Sequence, residues 1–447
     1  MIDNIYNNII SNTFWRVCVI DRQMRSHWHA LDNFRALSPS ESRLRLAERL
    51  MAQVRYFGER GDALPEWREA ARITDPEKFW EIWPSLPIIT KKDLRNRFQP
   101  AEMERRFGLR GSISSTGGST GEPTQFFHDE PMIRATDANR LYCRLQVGWE
   151  PGMPLIAVWG SERDIGKRGR GLKARFGMRL LNDWMVDGYR LSADTTDRVL
   201  ELIGRFRFAA IYGFTGLLEF VARQVLEQGA MPPAGRVRAA WNGGEMLFDH
   251  QVELFRKAFG VPLLNFYGGR ELSAMAFQPH EGASLRVLRP YLFVEIVDDR
   301  GKHVPPGETG RLIWTSTVCR GTPFLRYDIG DVGSSEAPDQ DESGIHALTR
   351  LEGRHSGLMR LPNGGTIGCI FWNHLLKDYP EVEQFQVALI GDRRVELRLR
   401  GSGLDQERES RLRDVVRRFL GEGDVRISWV DRIPLTPQGK LVQVVRE

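Results

Sequence analysis

Apolar positions change their spacing along the chain and divide it into stretches of different character. Up to about residue 110 they recur at helical intervals among polar residues. An example is the run Leu44, Leu46, Leu50, Val54 and Phe57, which follows the helix-start signal Ser38-Pro39-Ser40-Glu41-Ser42. A loop is expected over 84–87, and Thr90 caps the helix announced by Ile88-Ile89-Thr90-Lys91-Lys92-Asp93-Leu94. From residue 155 short apolar runs alternate with amphipathic ones. The pattern predicts strands over 155–159, 209–213, 237–241 and 261–266, with helices over 194–204, 217–229 and 250–259. Such alternation implies parallel strands joined by crossover helices, with ligands held beyond the carboxyl ends of the strands. Glycines stand at the expected turns, at Gly213, Gly243-Gly244 and Gly268-Gly269, where a ligand could approach the backbone closely.

From about residue 291 the pattern turns to antiparallel strands over 291–297 and 310–315, joined by a Gly/Pro loop over 304–310. Residues 355–447 read as a separable unit: a hairpin over 382–390 and 395–400, a helix over 411–420 and a strand over 425–430. The helix carries Leu412, Val415, Val416, Phe419 and Leu420 on one stripe. The expected fold class is α/β. A large amino-terminal domain, residues 1–354, has mixed or parallel sheets flanked by helices and a β-rich part at about 285–350. A small mobile α+β domain follows, with 354–357 as the hinge.

Composition narrows the function. The chain has 447 residues, 41% of them hydrophobic and 27% charged, which fits more than one globular domain. The net charge of +5 is spread among interleaved acids, a balance suited to anionic small molecules and unlike the clustered basic surface of a nucleic-acid binder. The strongest basic run, 166–175, reads as a solvated loop or as the border of an anionic ligand. Cys18, Cys143, Cys319 and Cys369 have no paired spacing, so neither a zinc site nor a disulfide framework is expected, and reduced cytoplasmic thiols are the default. No secretory leader and no apolar run of membrane-spanning length is read from the sequence.

The segment Ser114-Ser115-Thr116-Gly117-Gly118-Ser119-Thr120-Gly121-Glu122-Pro123 combines hydroxyls with glycines. Backbone N–H groups freed by glycine, together with hydroxyl donors, can wrap phosphate oxygens, although a solvated turn has the same composition. No Gly-Lys-Ser/Thr follows, so the loop is not of the Walker type, and no kinase signature is present. Four further signals come in order: Trp241-Asn242-Gly243-Gly244-Glu245; Tyr267-Gly268-Gly269-Arg270-Glu271; Arg326-Tyr327-Asp328-Ile329-Gly330-Asp331 with Leu351-Glu352-Gly353-Arg354; and Pro434-Leu435-Thr436-Pro437-Gln438-Gly439-Lys440. His128, His250, His346, His355 and His374 show no pairing and are read as ordinary histidines.

In these motifs and their order the chain, over residues 85–447, resembles the adenylate-forming ligases. It looks most like their phenylacetate–CoA ligase branch, which includes capsule-biosynthesis homologues. The resemblance implies an ATP-dependent ligase that joins a carboxylate to AMP with loss of pyrophosphate and then passes the acyl group on. CoA is the expected acceptor, with an amine, a hydroxyl or a carrier-protein thiol as the alternative. It implies that Ser114, Ser115, Thr116, Gly117, Gly118, Ser119, Thr120 and Gly121 cradle the β- and γ-phosphates of ATP. Gly243, Gly244 and Glu245 would line the acyl and adenine side, Tyr267 with Gly268 and Gly269 would lie by adenine, and Asp331 would accept from the ribose hydroxyls. Arg354 would stand beside ribose and phosphate, Glu271 would hold Mg²⁺, and Lys440 would bridge the attacking carboxylate and the α-phosphate. Taken singly, these residues have plainer readings: Glu271 as a surface acid at a helix start, Asp331 as a turn former, Arg354 as a linker cation and Lys440 as an exposed lysine in a tail.

Tyr212, Phe214, Trp241, Phe266 and Ala274 are candidates for an apolar acyl pocket, and equally for core packing. Two departures from the family pattern stand out. Gly353-Arg354 is followed by His355-Ser356-Gly357 where the family usually has a hinge acid, and Gly269-Arg270 precedes Glu271 where a small hydroxyl residue is common. Expected partners are a small carboxylic acid and an acyl acceptor, with no nucleic acid and no membrane span; a homodimer is compatible with the chain. The contrasting class is a non-catalytic nucleotide-binding homologue, which would be expected to lose the tail lysine first.

Overall fold

The structure is a computed structural model. It describes residues 11–116, 124–159, 172–188, 193–337, 340–354, 359–360, 366–367, 372, 375–376, 379–390, 394–419, 424–435 and 441–447. The expected hinge segment 355–357 and the loop core 117–121 lie outside these residues, as do the basic stretch 166–171 and Lys440.

The amino-terminal region is helical. Helix Pro39–Gly58 starts with a capping box: Glu41 N–H donates to Ser38 Oγ, and Ser38 N–H donates to the Glu41 carboxylate at 3.0 Å. Such a cap contributes about 1 kcal/mol. Leu46, Leu50, Val54 and Phe57 are buried on one face. Leu44, expected among them, is 46% exposed, because two residues of helix turn it away from Leu46. Thr90 caps helix Lys91–Arg97 with Asp93 as the reciprocal partner. The preceding segment is tied to the body: Ile89 N–H donates to Arg326 O at 2.9 Å, and Asp328 N–H to Ile89 O at 2.8 Å.

The parallel sheet has the order Asp183–Asp187, Leu155–Trp159, Ala209–Gly213, Val237–Asn242. Ile156, Val158, Ile211 and Val237 pack against helices Ala193–Arg205, Thr215–Glu227 and Asp249–Phe259. Leu155, Ala210, Ala239 and Trp241 point the other way, into the core that includes Leu141 and Tyr142 of helix Glu130–Gln146. The edge strand Asp183–Asp187 is not anticipated by the apolar pattern, since an acid stands at each end. The expected strand over 261–266 reduces to one bridge, Leu264 with Trp241. The next strand, Phe266–Gly269, belongs to an antiparallel sheet with Ser273–Phe277, Leu285–Val287 and Ala347–Leu348. Gly268-Gly269 is therefore strand and not a following turn, and a Cβ at Gly268 would come within 2.2 Å of Ser273 O.

A second antiparallel sheet runs Leu292–Val297, Gly310–Ser316, Tyr327–Ser334, Arg350–Arg354. The buried Arg326 braces it. Its guanidinium donates to both carboxylate oxygens of Glu295, at 3.1 and 3.0 Å, and to the carbonyls of Pro84 and Leu86 at 2.6 and 2.5 Å. The carboxyl-terminal sheet has the order Asp424–Trp429, Arg394–Gly401, Val382–Ile390, Val444–Arg446, the central pair being the expected hairpin. Helix Gln406–Phe419 buries Leu412 and Val416 against it. Among the described residues no helix is long and apolar enough to cross a membrane.

Candidate active site

The carboxyl ends of the parallel strands, both antiparallel sheets, the 111–116 strand end and the carboxyl-terminal sheet surround one cleft of about 1610 Å³. Every expected site residue that is described lines it: Ser114, Ser115 and Thr116, the Gly243-Gly244-Glu245 turn, Tyr267 to Glu271, Asp331 and Arg354. Gly117, Gly118, Ser119, Thr120, Gly121 and Lys440 lie outside the described residues. Their neighbours delimit them. Thr116 N–H donates to Thr124 O, and Thr124 N–H donates to Thr116 Oγ1, both at 2.9 Å, so the strands Gly111–Ser115 and Gln125–Asp129 clamp the base of the hydroxyl-glycine loop. Leu435 and Leu441, which flank the segment containing Lys440, form an antiparallel bridge.

The acidic centre is set by strand register. Asp331 pairs with Arg354 across neighbouring strands. Asp331 Oδ1 faces Arg354 Nε at 3.0 Å, and its Oδ2 accepts from the Tyr267 hydroxyl at 2.7 Å. Each carboxylate oxygen has two lone pairs, so Asp331 keeps acceptor capacity for two vicinal hydroxyls. Burial, and then the nearby Asp331 charge, pushes the Tyr267 phenol well above its ordinary range.

Glu271 sits in the hairpin between Phe266–Gly269 and Ser273–Phe277. It is 4% exposed and so is not an acid at a helix start. Its Oε1 lies 3.4 Å from the Tyr327 hydroxyl. A buried carboxylate is an oxygen donor of the kind Mg²⁺ takes, with water and phosphate oxygens completing its shell; among the described residues no cluster of three or more acids, histidines or cysteines is present.

Sequence reasoning passed over three residues here. His128 lines the cleft, and its Nε2 lies 2.7 Å from Glu271 O; a carbonyl only accepts, so Nε2 carries the proton. Burial lowers the pKa of His128. Lys91 also lines the cleft. Burial, followed by Arg354, lowers its pKa, while Glu271, Asp331 and Asp328 act in the opposite sense. A signal was available, because Lys91 opens a helix, an end where the helix dipole disfavours a cation. Asn242 is fully buried. Its Nδ2 donates to Thr215 Oγ1 and to Glu245 O at 2.9 and 3.0 Å, and its Oδ1 accepts from Phe266 N–H at 2.9 Å. It knots the Gly243-Gly244-Glu245 turn, in which Gly244 has φ +74°, to two neighbouring segments.

Beyond this centre lies an aromatic wall. Trp159 stacks on Phe214 at 3.8 Å and on Tyr212 at 5.0 Å, Tyr212 on Trp241 at 5.9 Å, and Trp241 on Phe266 at 5.5 Å. Ala157 and Ala274 leave space beside it, and Ile133, Thr136 and Arg140 of helix Glu130–Gln146 also line the cleft. Tyr212, Phe214, Trp241, Phe266 and Ala274 thus lie at the cleft, while Phe214 and Trp241, each 1% exposed, are core residues as well.

The model of the AMP-binding enzyme family matches residues 184–321. A phenylacetate–coenzyme A ligase of Thermus thermophilus is 25% identical over 299 residues, 64% of this chain and 64% of the relative. One from Pseudomonas putida is 23% identical over 260 residues, 55% of this chain and 56% of the relative. The matched segment therefore spans less than two thirds of either relative. Among solved structures, 2-hydroxyisobutyryl-CoA ligase in its postadenylation state superposes with a TM-score of 0.65 at 16% identity, over 90% of this chain and 89% of that one, a likeness of fold.

Proposed function

We propose that the chain falls within the adenylate-forming superfamily, on its phenylacetate–CoA ligase-like branch, and that it is an ATP-dependent carboxylate-activating ligase that forms an acyl-adenylate and then an acyl-CoA thioester. The carrying observation is the convergence of Asp331, Arg354, Tyr267, Glu271, Lys91 and the 114–116 strand end on one cleft whose far wall is aromatic.

In this reading Asp331 accepts from the ribose hydroxyls, and Tyr267 fixes both Asp331 and the adenine edge. Ser114 to Gly121 hold the β- and γ-phosphates. Glu271 would hold Mg²⁺, which when bound offsets phosphate charge. A substrate carboxylate oxygen attacks the α-phosphorus, a P–O bond forms, and the bond to the bridging oxygen of the β-phosphate breaks to release pyrophosphate. Negative charge grows on the α-phosphate oxygens, where Arg354, Lys91 and the tail Lys440 supply fixed positive charge. In the second step the acceptor sulfur attacks the acyl carbon, the thiol proton is lost, and the C–O bond to AMP breaks. The flat aromatic wall suits an aryl or other apolar acyl group. CoA is the favoured acceptor because both curated relatives are named CoA ligases.

The test is pyrophosphate–ATP exchange across a panel of carboxylic acids that includes phenylacetate, followed by analysis of nucleotide and thioester products with CoA. Acid-dependent exchange with AMP as product is expected. Tight ATP binding without exchange for any acid would leave a nucleotide-binding homologue, and ADP as product would overturn the reaction class.

A further inference from the structure

The Glu245 carboxylate spans two bodies of the protein. Its Oε2 accepts from Gly216 N–H at 2.9 Å, in the first turn of helix Thr215–Glu227. That helix has Phe214 at its N-cap and no capping side chain of its own, so a carboxylate from another segment satisfies a first-turn donor. Its Oε1 accepts from Leu441 N–H at 3.2 Å, 196 positions away in sequence. Leu441 directly follows Lys440, bridges to Leu435 and leads into strand Val444–Arg446, which pairs with Val382–Ile390. Asn242 holds the turn that presents Glu245 through its bonds to Thr215, Phe266 and the Glu245 carbonyl. A helix cap needs one carboxylate oxygen; the second has been aimed across the cleft.

We infer that Glu245 is a positioning residue that seats Leu441, the residue after Lys440, at the cleft, and does not itself touch the nucleotide. The role rests on the ligase reading for its catalytic meaning, but the seat is a property of the fold. Acyl transfer in the second step requires the acceptor to reach the acyl carbon. A backbone hydrogen bond to a carboxylate is strong enough to bias the tail toward the cleft.

Hydrogen exchange on the full chain tests the seat without any substrate, by following peptides from 155–159, 215–227 and 441–447. In Glu245→Gln the tail amide at Leu441 is expected to exchange about tenfold faster, with strand 155–159 unchanged. Glu245→Asp, one methylene shorter, should keep the charge and lose tail protection equally. Unchanged tail protection in both variants, or an equal acceleration of all three regions, would overturn the inference. With phenylacetate as probe acid, Glu245→Gln should lower the adenylation kcat about tenfold and leave the KM for ATP within about twofold, because the residues assigned to ribose and phosphate are untouched. A rise in KM at constant kcat would instead make Glu245 a nucleotide contact. If wild type supports no exchange with any acid, the ligase reading fails while the tail-protection result still decides the seat.

Discussion

Two regions bring charge to the same cleft by opposite means. The antiparallel sheet built on Tyr327–Ser334 delivers Asp331, Arg354 and the Tyr267 contact through strand register, so each group is fixed by its ladder neighbours. The carboxyl-terminal sheet reaches the cleft by a loop base held to the body through a backbone amide and the Glu245 side chain. Under the proposed ligase reading, groups that would hold a nucleotide throughout suit the first arrangement, and a cation that would serve one step of two suits the second.

The largest effect is expected where the rigid side is braced. Arg326→Met would leave Glu295, which is 2% exposed, without its bidentate partner, at a cost of about 3–5 kcal/mol. Calorimetry should show a fall in Tm of roughly 3–5 °C. A loss under about 1 kcal/mol would mean that the brace is incidental and the register alone fixes the site. On the tail side, Lys440→Ala should slow adenylation by about 10²–10³-fold, or ~3–4 kcal/mol, with Tm unchanged; exchange kinetics with phenylacetate and a thermal melt read both.

Acid should separate the regions next. His27 is stacked on Tyr291 at 3.6 Å and bonded to Asn139 at 2.8 Å, and burial pulls its pKa down to about 4 from 6.5. Between pH 6.5 and 4 the unfolded chain takes up a proton that the folded body refuses, so stability falls on acidification through that window, by up to about 3 kcal/mol. Residues 379–447 contain no histidine, so the body and not the tail sheet should carry this sensitivity. In His27→Phe the decline in Tm from pH 6.5 to 4 should flatten; an unchanged slope would place the acid-sensitive group elsewhere. The smallest effect is Asp331→Asn, which weakens a charged hydrogen-bond set by about 2 kcal/mol and should raise the KM for ATP about thirtyfold with a lesser change in kcat.

What the sequence revealed, and what it hid, follows from locality. Glycine-rich turns after strands, the Arg-Tyr-Asp run and the Thr90 cap are short-range signals, and the sheets and most cleft residues were legible from them. The sequence left Glu271 open between a metal ligand and an acid at a helix start, because only the pairing of Phe266–Gly269 with Ser273–Phe277 makes that turn a buried hairpin. Strand Asp183–Asp187 was hidden because an edge strand needs no continuous apolar run. Lys91 escaped because its neighbours Glu271 and Asp331 are far away in sequence, and the link that brings it there is the Ile89 contact with strand Tyr327–Ser334. Glu245 lines the cleft as the motif implied, but its contact with Leu441 joins segments that sequence spacing cannot relate.

The stacked rings of the aromatic wall have an optical consequence. Trp159 and Trp241, two of the twelve indoles in the chain, flank Tyr212 at the cleft, so light absorbed by the phenol should pass to them over a few ångströms. An aromatic molecule sliding along that wall would change the polarity around Trp159 and should alter its emission. The protein thus carries a built-in reporter by which candidate acids could be screened by titration, before any turnover assay is set up.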